Sequence, residues 1–143
     1  MSSPNLEISS SVGHPNLRLG PEEYAKTLRD WTPYNDCFPR SIRIGDVDGM
    51  VEIGSHFLFL EAKPPGKMPT RGQQYAFERL VNLSDRITYV VLNGIPPTGV
   101  SELTIVRRVR GRVIWRTYSG AHVNLAFAKR FVRRWAIMAA RPN

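Results

Sequence analysis

The segment Phe57–Lys63, with the sequence FLFLEAK, holds the pattern that most strongly predicts the fold. Four consecutive apolar residues, rich in aromatic side chains, are typical of a strand that is buried on both faces. Because side chains alternate along a strand, Glu61 and Lys63 should point to one face and Ala62 to the other. Charged groups at the margin of a core are costly unless they are paired or bound to a metal. The segment therefore predicts an interior strand that ends at a polar site.

A second acidic residue, Asp48, is predicted to lie beside Glu61. Residues 46–53 alternate between polar and apolar side chains and predict a strand, and Gly54-Ser55 is a tight-turn signal before the next strand. Asp48 and Glu61 are equally far from this turn, so antiparallel pairing should bring their carboxylates close together, near Lys63. Asp46 has the same parity and is a competing candidate. The predicted core positions of the first strand are Val47, Met50 or Val51, and Ile53.

Two neighbouring carboxylates and one amine indicate a metal site that acts on phosphate. Paired carboxylates repel, which raises the pKa of one of them unless a cation lies between them. Mg²⁺ usually takes one or two carboxylates, keeps several waters and completes its shell with substrate phosphate. The sequence therefore predicts Mg²⁺ or Mn²⁺ held by Asp48 and Glu61, with at most the backbone carbonyl of Ala62 added. Lys63 could then orient or deprotonate a metal-bound water.

The remaining chain predicts one small α/β domain. Residues 1–20 are rich in Ser, Pro, Asn and Gly and predict a loose arm, and residues 21–143 a single domain. Within it we expect a core at 21–95 and a basic extension at 96–143. Pro21 should open a helix with an apolar face of Tyr24, Leu28 and Trp31, followed by a loop at 34–39. The alternation in Ser41–Ile44 predicts a further strand.

A strand–helix–strand unit follows the FLFLEAK segment. Thr70 is a plausible N-cap for a helix from Arg71 to about Leu83, and the β-branched segment Arg86–Asn93 predicts a strand. This order predicts a right-handed crossover and parallel pairing. Two strands, at 102–110 and 112–118, should form a hairpin, and residues 121–140 a last helix. The apolar faces of the two helices are predicted to contain Tyr75 or Ala76, Phe77, Leu80 and Leu83, and Leu125, Phe127, Phe131 and Trp135.

The charge of the chain favours a polyanionic partner. Lysine and arginine number 20 against 12 acidic residues, for a net charge of +8 and a pI near 10.3, and such an excess most often serves nucleic acid. The alternative is a solvated face that only maintains solubility. No base-reading motif is present, so we expect recognition of DNA shape. The predicted phosphate contacts are Lys67, Arg71, Arg107, Arg108, Arg110, Arg112, Arg116, Lys129, Arg130, Arg133 and Arg134.

Cysteine usage and hydropathy predict a cytosolic protein. The single cysteine, Cys37, allows no disulfide framework and no cysteine-based zinc site within one chain. No apolar run is long enough to span a membrane, and the first residues lack the apolar region of a signal peptide. We therefore expect a reducing, cytosolic environment.

The order of Asp48, Glu61-Ala62-Lys63 and a helix bearing Gln73 resembles the PD-(D/E)xK nuclease superfamily. The resemblance implies the restriction-endonuclease-like fold, an α-β-β-β-α-β core with a mixed central sheet, here with a C-terminal β-hairpin and a basic helix added. It covers about the first two-thirds of the chain, and Val47 stands where many members have proline. The spacing is similar to that of archaeal-type Holliday junction resolvases and of small VRR-type and phage-encoded nucleases.

The resemblance also implies residue roles and a function. Asp48 and Glu61 would be metal ligands, Lys63 the catalytic lysine, and Gln73, rather than Gln74, a support for the site or a DNA contact. Glu22 or Glu23 matches an acidic residue that several branches place on the first helix, although both also suit simple helix-dipole support. The implied function is a Mg²⁺-dependent DNA endonuclease for branched DNA in recombination or repair, acting as a homodimer. Alternatives are an exonuclease or nickase, an inactive DNA-binding module and a basic protein-interaction domain.

Overall fold

The structure is a computed structural model that describes Glu22, residues 30–95 and residues 98–142. The chain divides into two compact units, Met1–Gly45 and Asp46–Asn143. In the first unit, Glu22 is helical and Thr32–Cys37 forms a 3-10 helix with proline in its first turn, where a loop was predicted from residue 34. The predicted arm at 1–20 and most of the predicted helix at 21–31 lie outside the described residues.

The predicted strand at Ser41–Ile44 is wrong. Residues 42–47 have no regular secondary structure, and the side chain of Ile42 is 50% exposed. A pattern with only two apolar residues, followed by Gly45, offers too little apolar surface to hold a strand against a core. The first strand consequently begins at Gly49 rather than at Asp46.

The described residues of the second unit form five strands and two helices. The strands are β1 (Gly49–Ile53), β2 (His56–Lys63), β3 (Ile87–Ile95), β4 (Gly99–Val109) and β5 (Arg112–Ser119). The helices are α1 (Arg71–Val81), between β2 and β3, and α2 (Leu125–Ala139), after β5. The sheet order is β1-β2-β3-β4-β5. Only the β2–β3 pair is parallel, which confirms the pairing predicted from the strand–helix–strand order.

The β1–β2 hairpin has the register that positions the site. Gly54 and Ser55 both have positive φ, 55° and 65°, as a two-residue type I′ turn requires. Gly49 therefore pairs with Leu60, and Ile53 with His56. At Gly54 a Cβ atom would lie 2.6 Å from the carbonyl oxygen of Ala139, so the turn also approaches the C-terminal end of α2 closely.

Each face of the sheet packs against one helix. On one face Leu58, Val90 and Leu103 pack with Trp135 and Ala139 of α2. On the other face Tyr89, Val91 and Val106 pack with Phe77 and Val81 of α1. The two apolar layers place α1 and α2 on opposite faces of the sheet. The side chain of Glu61 points to the face that α1 covers.

Several predicted core positions are exposed instead. In α1, Phe77 and Val81 form the buried stripe, whereas Tyr75 is 50% exposed and Leu83, which lies beyond the end of the helix, is 74% exposed. The predicted stripe and the observed stripe both follow the spacing of three or four residues that a helix requires. The apolar pattern alone therefore does not determine which of the two faces of α1 is buried. Met50, on the α1 side of the edge strand β1, is 58% exposed and lies outside the cluster packed against α1. Val47, 55% exposed, lies in the irregular segment before β1.

The protein has a mixed α/β fold with a five-stranded mixed sheet. Over the described residues, two strands rather than three precede α1. The restriction-endonuclease-like core therefore stays a prediction. Within the same residues, neither helix is long and apolar enough to cross a membrane.

Candidate functional site

The structure brings Asp48, Glu61 and Lys63 together at one end of the sheet. Asp48 precedes β1 by one residue, and its Oδ2 accepts a hydrogen bond of 2.9 Å from the backbone N–H of Ala62. Since Gly49 pairs with Leu60, Asp48 lies opposite Glu61, as the hairpin predicted. The Nζ of Lys63 lies 3.4 Å from Oε1 of Glu61. Asp46, the competing candidate, and Asp48 are both exposed, and Asp48 is the one that bonds to Ala62.

Glu61 is the most unusual ionisable residue of this site. Its residue surface is only 5% exposed, and its Oε1 accepts from Nε2 of Gln73 at 3.3 Å as well as facing Lys63. Its Oε2 is buried and has no hydrogen-bond partner among the described residues. Burial raises the pKa of Glu61, the charge of Asp48 raises it further, and Lys63 and Gln73 oppose the shift. A buried carboxylate oxygen without a donor is the kind of group that a cation satisfies.

Gln73 is held in place by the capping box of α1. Its Oε1 accepts from the backbone N–H of Thr70 at 3.0 Å, and its own N–H donates to Thr70 Oγ1 at 3.2 Å. With its amide oxygen fixed in this way, the amide nitrogen is left to donate to Glu61. Gln74 instead donates to the carbonyl of Pro69 at 2.8 Å. The geometry thus agrees with the preference for Gln73 over Gln74.

Tyr89 is a member of the site that sequence reasoning missed. Its ring stacks between those of Phe59 and Phe77, with centroid distances of 5.5 and 3.8 Å. Burial, followed by the charges of Glu61 and Asp48, raises the pKa of Tyr89 to about 12. The phenol therefore keeps its proton at neutral pH beside the two carboxylates. The only indication in the sequence was that Tyr89 stands two residues before Val91 and so shares its face of β3.

Asn93 was also missed, and it positions the loop after Lys63. Asn93 is 4% exposed, pairs with Lys63 across the β2–β3 ladder, and donates from Nδ2 to the carbonyls of Pro64 and Lys67 at 3.0 and 2.6 Å. A buried amide that bridges two carbonyls fixes the loop in one conformation. An asparagine at the end of an otherwise apolar strand was the signal that could have identified it.

The donor set fits a hard divalent cation with an open coordination shell. Within the part of the chain that the structure describes, no group of three His, Cys, Asp or Glu residues is placed to hold a metal. Mg²⁺ does not need one, because it commonly takes one or two carboxylates and several waters. Ala62 contributes its N–H to Asp48, and ligation by its carbonyl stays a prediction. Glu22 belongs to the first unit, and Glu23 lies outside the described residues.

The predicted phosphate contacts do not form one surface. Lys67 and Arg71 are exposed at the site end of the sheet, just before and at the start of α1. Arg108 binds Asp85 and the carbonyl of Asn82, both at 2.7 Å, so it holds the loop after α1. The other predicted contacts are exposed, in the β4–β5 hairpin or on α2. They are Arg107, Arg110, Arg112, Arg116, Lys129, Arg130, Arg133 and Arg134.

Strand parity places Arg107 and Arg116 on the face of the sheet opposite the acidic site. Arg107 pairs with Thr88 on one side and Ile114 on the other, and Arg116 pairs with Ile105. These positions share the side of the sheet that packs against α2, whereas Glu61 faces α1. Across the sheet, Lys63 is level with Glu102 of β4. Arg107 lies five residues further along β4, so it is about 17 Å from that level.

Comparison with protein-family models, with curated proteins and with solved structures finds no significant match. The function is therefore argued from the site itself.

Proposed function

We propose that the protein is a metal-dependent DNA endonuclease that hydrolyses phosphodiester bonds at the Asp48–Glu61–Lys63 site. The observation that supports this most strongly is the buried Glu61 carboxylate, whose Oε2 has no partner among the described residues. It lies beside the second carboxylate, Asp48, and 3.4 Å from the lysine amine. Such an arrangement is costly in a fold and is typical of functional sites.

Each residue has a role that follows from its contacts. Asp48 and Glu61 would hold Mg²⁺ or Mn²⁺, which supplies Lewis-acid polarisation of a phosphoryl oxygen when bound. Lys63 orients the attacking water and offsets negative charge that develops on the phosphate. Gln73 keeps the Glu61 carboxylate oriented from the first turn of α1. The cations of Lys67 and Arg71 are placed to contact neighbouring phosphates at the same end of the sheet.

The preferred substrate would be branched DNA such as a Holliday junction. The net charge of +8 favours the phosphate backbone, and the absence of a base-reading motif favours recognition of shape. Symmetric cleavage of two strands needs two sites, so we propose that the active form is a homodimer. Recombination or repair in the cytoplasm is the biological setting that this substrate implies.

A cleavage assay tests the proposal directly. Labelled four-way junction, flap, linear duplex and single-stranded DNA are incubated with the protein in Mg²⁺, in Mn²⁺ and in EDTA. We expect cleavage of at least one substrate with either metal and none in EDTA. Glu61→Ala and Lys63→Ala should each lower the rate by about 10²-fold or more while DNA binding is nearly unchanged. Glu52→Gln, a carboxylate change in the same hairpin but at the turn end, is the matched control and should cut normally.

Three outcomes would contradict the proposal. Normal cleavage by both site variants would show that the site is misassigned. Binding of DNA without cleavage of any substrate would indicate a module that binds DNA but does not hydrolyse it, and neither binding nor cleavage would indicate a protein-interaction domain.

A further inference from the structure

A basic groove runs between α2 and the β5 side of the sheet, on the face opposite the acidic site. One part of it, with a volume of about 230 Å³, is lined by aromatic and arginine side chains. An adjoining hollow of about 290 Å³ shares three of these residues and extends along the sheet. We call the two together the arginine groove, lined principally by Arg107, Tyr118, Phe127, Arg130, Phe131, Arg134 and Trp135.

The arginine groove offers hydrogen-bond donors and positive charge. In the part of the chain that the structure describes, no aspartate or glutamate lines either part of it. After Glu102 the sequence contains no acidic residue at all, so no carboxylate of this segment can neutralise the groove. Among the described residues, none of its arginines has a salt bridge, and Arg108, which does, points to the other face. A ligand for this groove must therefore supply negative charge and acceptors.

Trp135 gives an independent indication of a missing acceptor. It is 5% exposed at the wall of the groove, and its indole Nε1 is buried without a hydrogen-bond partner among the described residues. An indole nitrogen can only donate. Buried donors normally have partners, so this N–H is an unsatisfied donor in a residue that, like Arg107 and Arg134, lines the groove.

The aromatic rings distinguish between possible polyanions. Tyr118 and Phe127 lie 5.5 Å apart, and the guanidinium of Arg116 lies 5.1 Å from the Tyr118 ring centroid. Tyr118, Phe127 and Phe131 are all half-buried, so each leaves part of its ring surface accessible. Rings and guanidinium planes stack on unpaired bases, whereas the bases of a duplex are already stacked on one another. Alternating rings and guanidinium groups thus favour a single strand over a duplex.

We propose that the arginine groove binds single-stranded nucleic acid, with phosphates on Arg107, Arg130 and Arg134 and bases against Tyr118 and Phe127. The role in catalysis rests on the proposed nuclease function: the groove would hold a single-stranded flap, or a strand unpaired at the branch point of a junction, while the acidic site cuts on the other face. Binding itself requires no metal and no cleavage. The two proposals can therefore fail separately.

Two double variants of α2 provide a matched test. Arg130→Gln with Arg134→Gln removes two charges from the flank of α2 that lines the arginine groove. Lys129→Gln with Arg133→Gln removes two charges from the other flank, which lines a separate apolar hollow with Leu92 and Val100. All four side chains are exposed, so both variants should fold, and circular dichroism checks this.

The measurement is fluorescence anisotropy of a labelled oligothymidylate of about twelve nucleotides, a typical single-strand site length, with the full chain in EDTA. We expect the groove variant to bind about tenfold more weakly at about 0.1 M salt, and the slope of log affinity against log salt to fall by about 1.4. The control variant should lose less than about threefold, the part due to general charge. Tyr118→Leu, which keeps the apolar packing, should weaken binding with an unchanged salt slope.

Equal losses in the two double variants would overturn the proposal, because they would show that only net charge matters. So would equal affinity for a duplex of the same length or for an acidic peptide. If the single strand binds as expected but no DNA is cut, the groove stands and the nuclease proposal fails. If DNA is cut and the groove variant binds and cuts like the control, the nuclease stands and the groove fails.

Discussion

Replacing Glu61 with glutamine should stabilise the fold and, on the proposed function, abolish metal-dependent cleavage. In the wild-type protein the Glu61 carboxylate is buried, its Oε2 lacks a donor among the described residues, and the charge of Asp48 lies nearby. Glutamine has nearly the same shape but no charge, and its amide hydrogens can face the Asp48 carboxylate. Its oxygen can still accept from Gln73, so the link to α1 is kept.

The size of the effect follows from two opposing contributions. A buried polar atom without a partner costs about 1–3 kcal/mol, and the substitution relieves most of this penalty. It also replaces the ion pair with Lys63 by a hydrogen bond, because the amine, in a side chain that is 20% exposed, can still donate to the glutamine oxygen. We expect this exchange to cost about 1 kcal/mol, the typical difference between a charged and a neutral hydrogen bond. The expected net gain in unfolding free energy is therefore about 1 kcal/mol, equivalent to a rise in Tm of about 3–5 °C.

Thermal unfolding of the two proteins without metal, measured across pH, gives the test. Because the pKa of Glu61 is raised in the folded state above its ordinary value, the folded protein keeps this proton at pH values where the unfolded chain has lost it. The penalty is thus complete above the folded pKa and disappears as pH falls through it. The advantage of Glu61→Gln should be largest at neutral pH and shrink in acid.

The control for this experiment is Glu52→Gln. Glu52 is exposed and its Oε2 accepts from the Ser55 backbone N–H at 2.8 Å, so the substitution changes net charge by the same amount without relieving strain. Its Tm should change by less than about 2 °C. A Glu61→Gln protein that is no more stable than wild type at neutral pH would refute the reasoning that the charged Glu61 carboxylate destabilises the fold.

Three further substitutions, two of them paired with a control variant, test the supporting contacts. Gln73→Ala and Thr70→Ala should each cost about 1 kcal/mol of stability in urea unfolding, because each removes part of the cap of α1. Cleavage kinetics should show a larger loss for Gln73→Ala, because only Gln73 contacts Glu61. Asn93→Ala should cost about 2 kcal/mol in urea unfolding by leaving the two loop carbonyls without their donor, and should speed proteolysis of the loop. Gly54→Ala should lower Tm more than Gly111→Ala, because both have positive φ but only the first Cβ would clash, at 2.6 Å; equal losses would contradict the close approach of the β1–β2 turn to α2.

The sequence was sufficient for the part of the site that depends on local geometry. A two-residue turn fixes the register of a hairpin, so the pairing of Asp48 with Glu61 followed from counting outward from Gly54-Ser55. The capping box likewise needs only a Thr70 and a Gln73 at the right spacing. Both features lie within one element or one hairpin.

Contacts between distant segments could not be predicted in this way. Tyr89 and Asn93 join the site through the parallel β2–β3 register and the stacking of Phe77, which no local pattern specifies. Whether Oε2 of Glu61 finds a hydrogen-bond donor depends on the side chains of several elements that pack around it. By contrast, the division of the basic residues between two faces could have been anticipated, because Arg107 and Arg108 are adjacent in a strand and must point to opposite sides.

Calorimetric titration with Mn²⁺ tests the central claim most directly, namely that the two carboxylates at the end of the β1–β2 hairpin hold a hard cation. Wild-type protein should bind one ion per chain, and both Asp48→Asn and Glu61→Gln should abolish this binding while Glu52→Gln leaves it unchanged. Undiminished Mn²⁺ binding by the two site variants, or no binding by the wild-type protein even with a phosphodiester substrate present, would contradict the account.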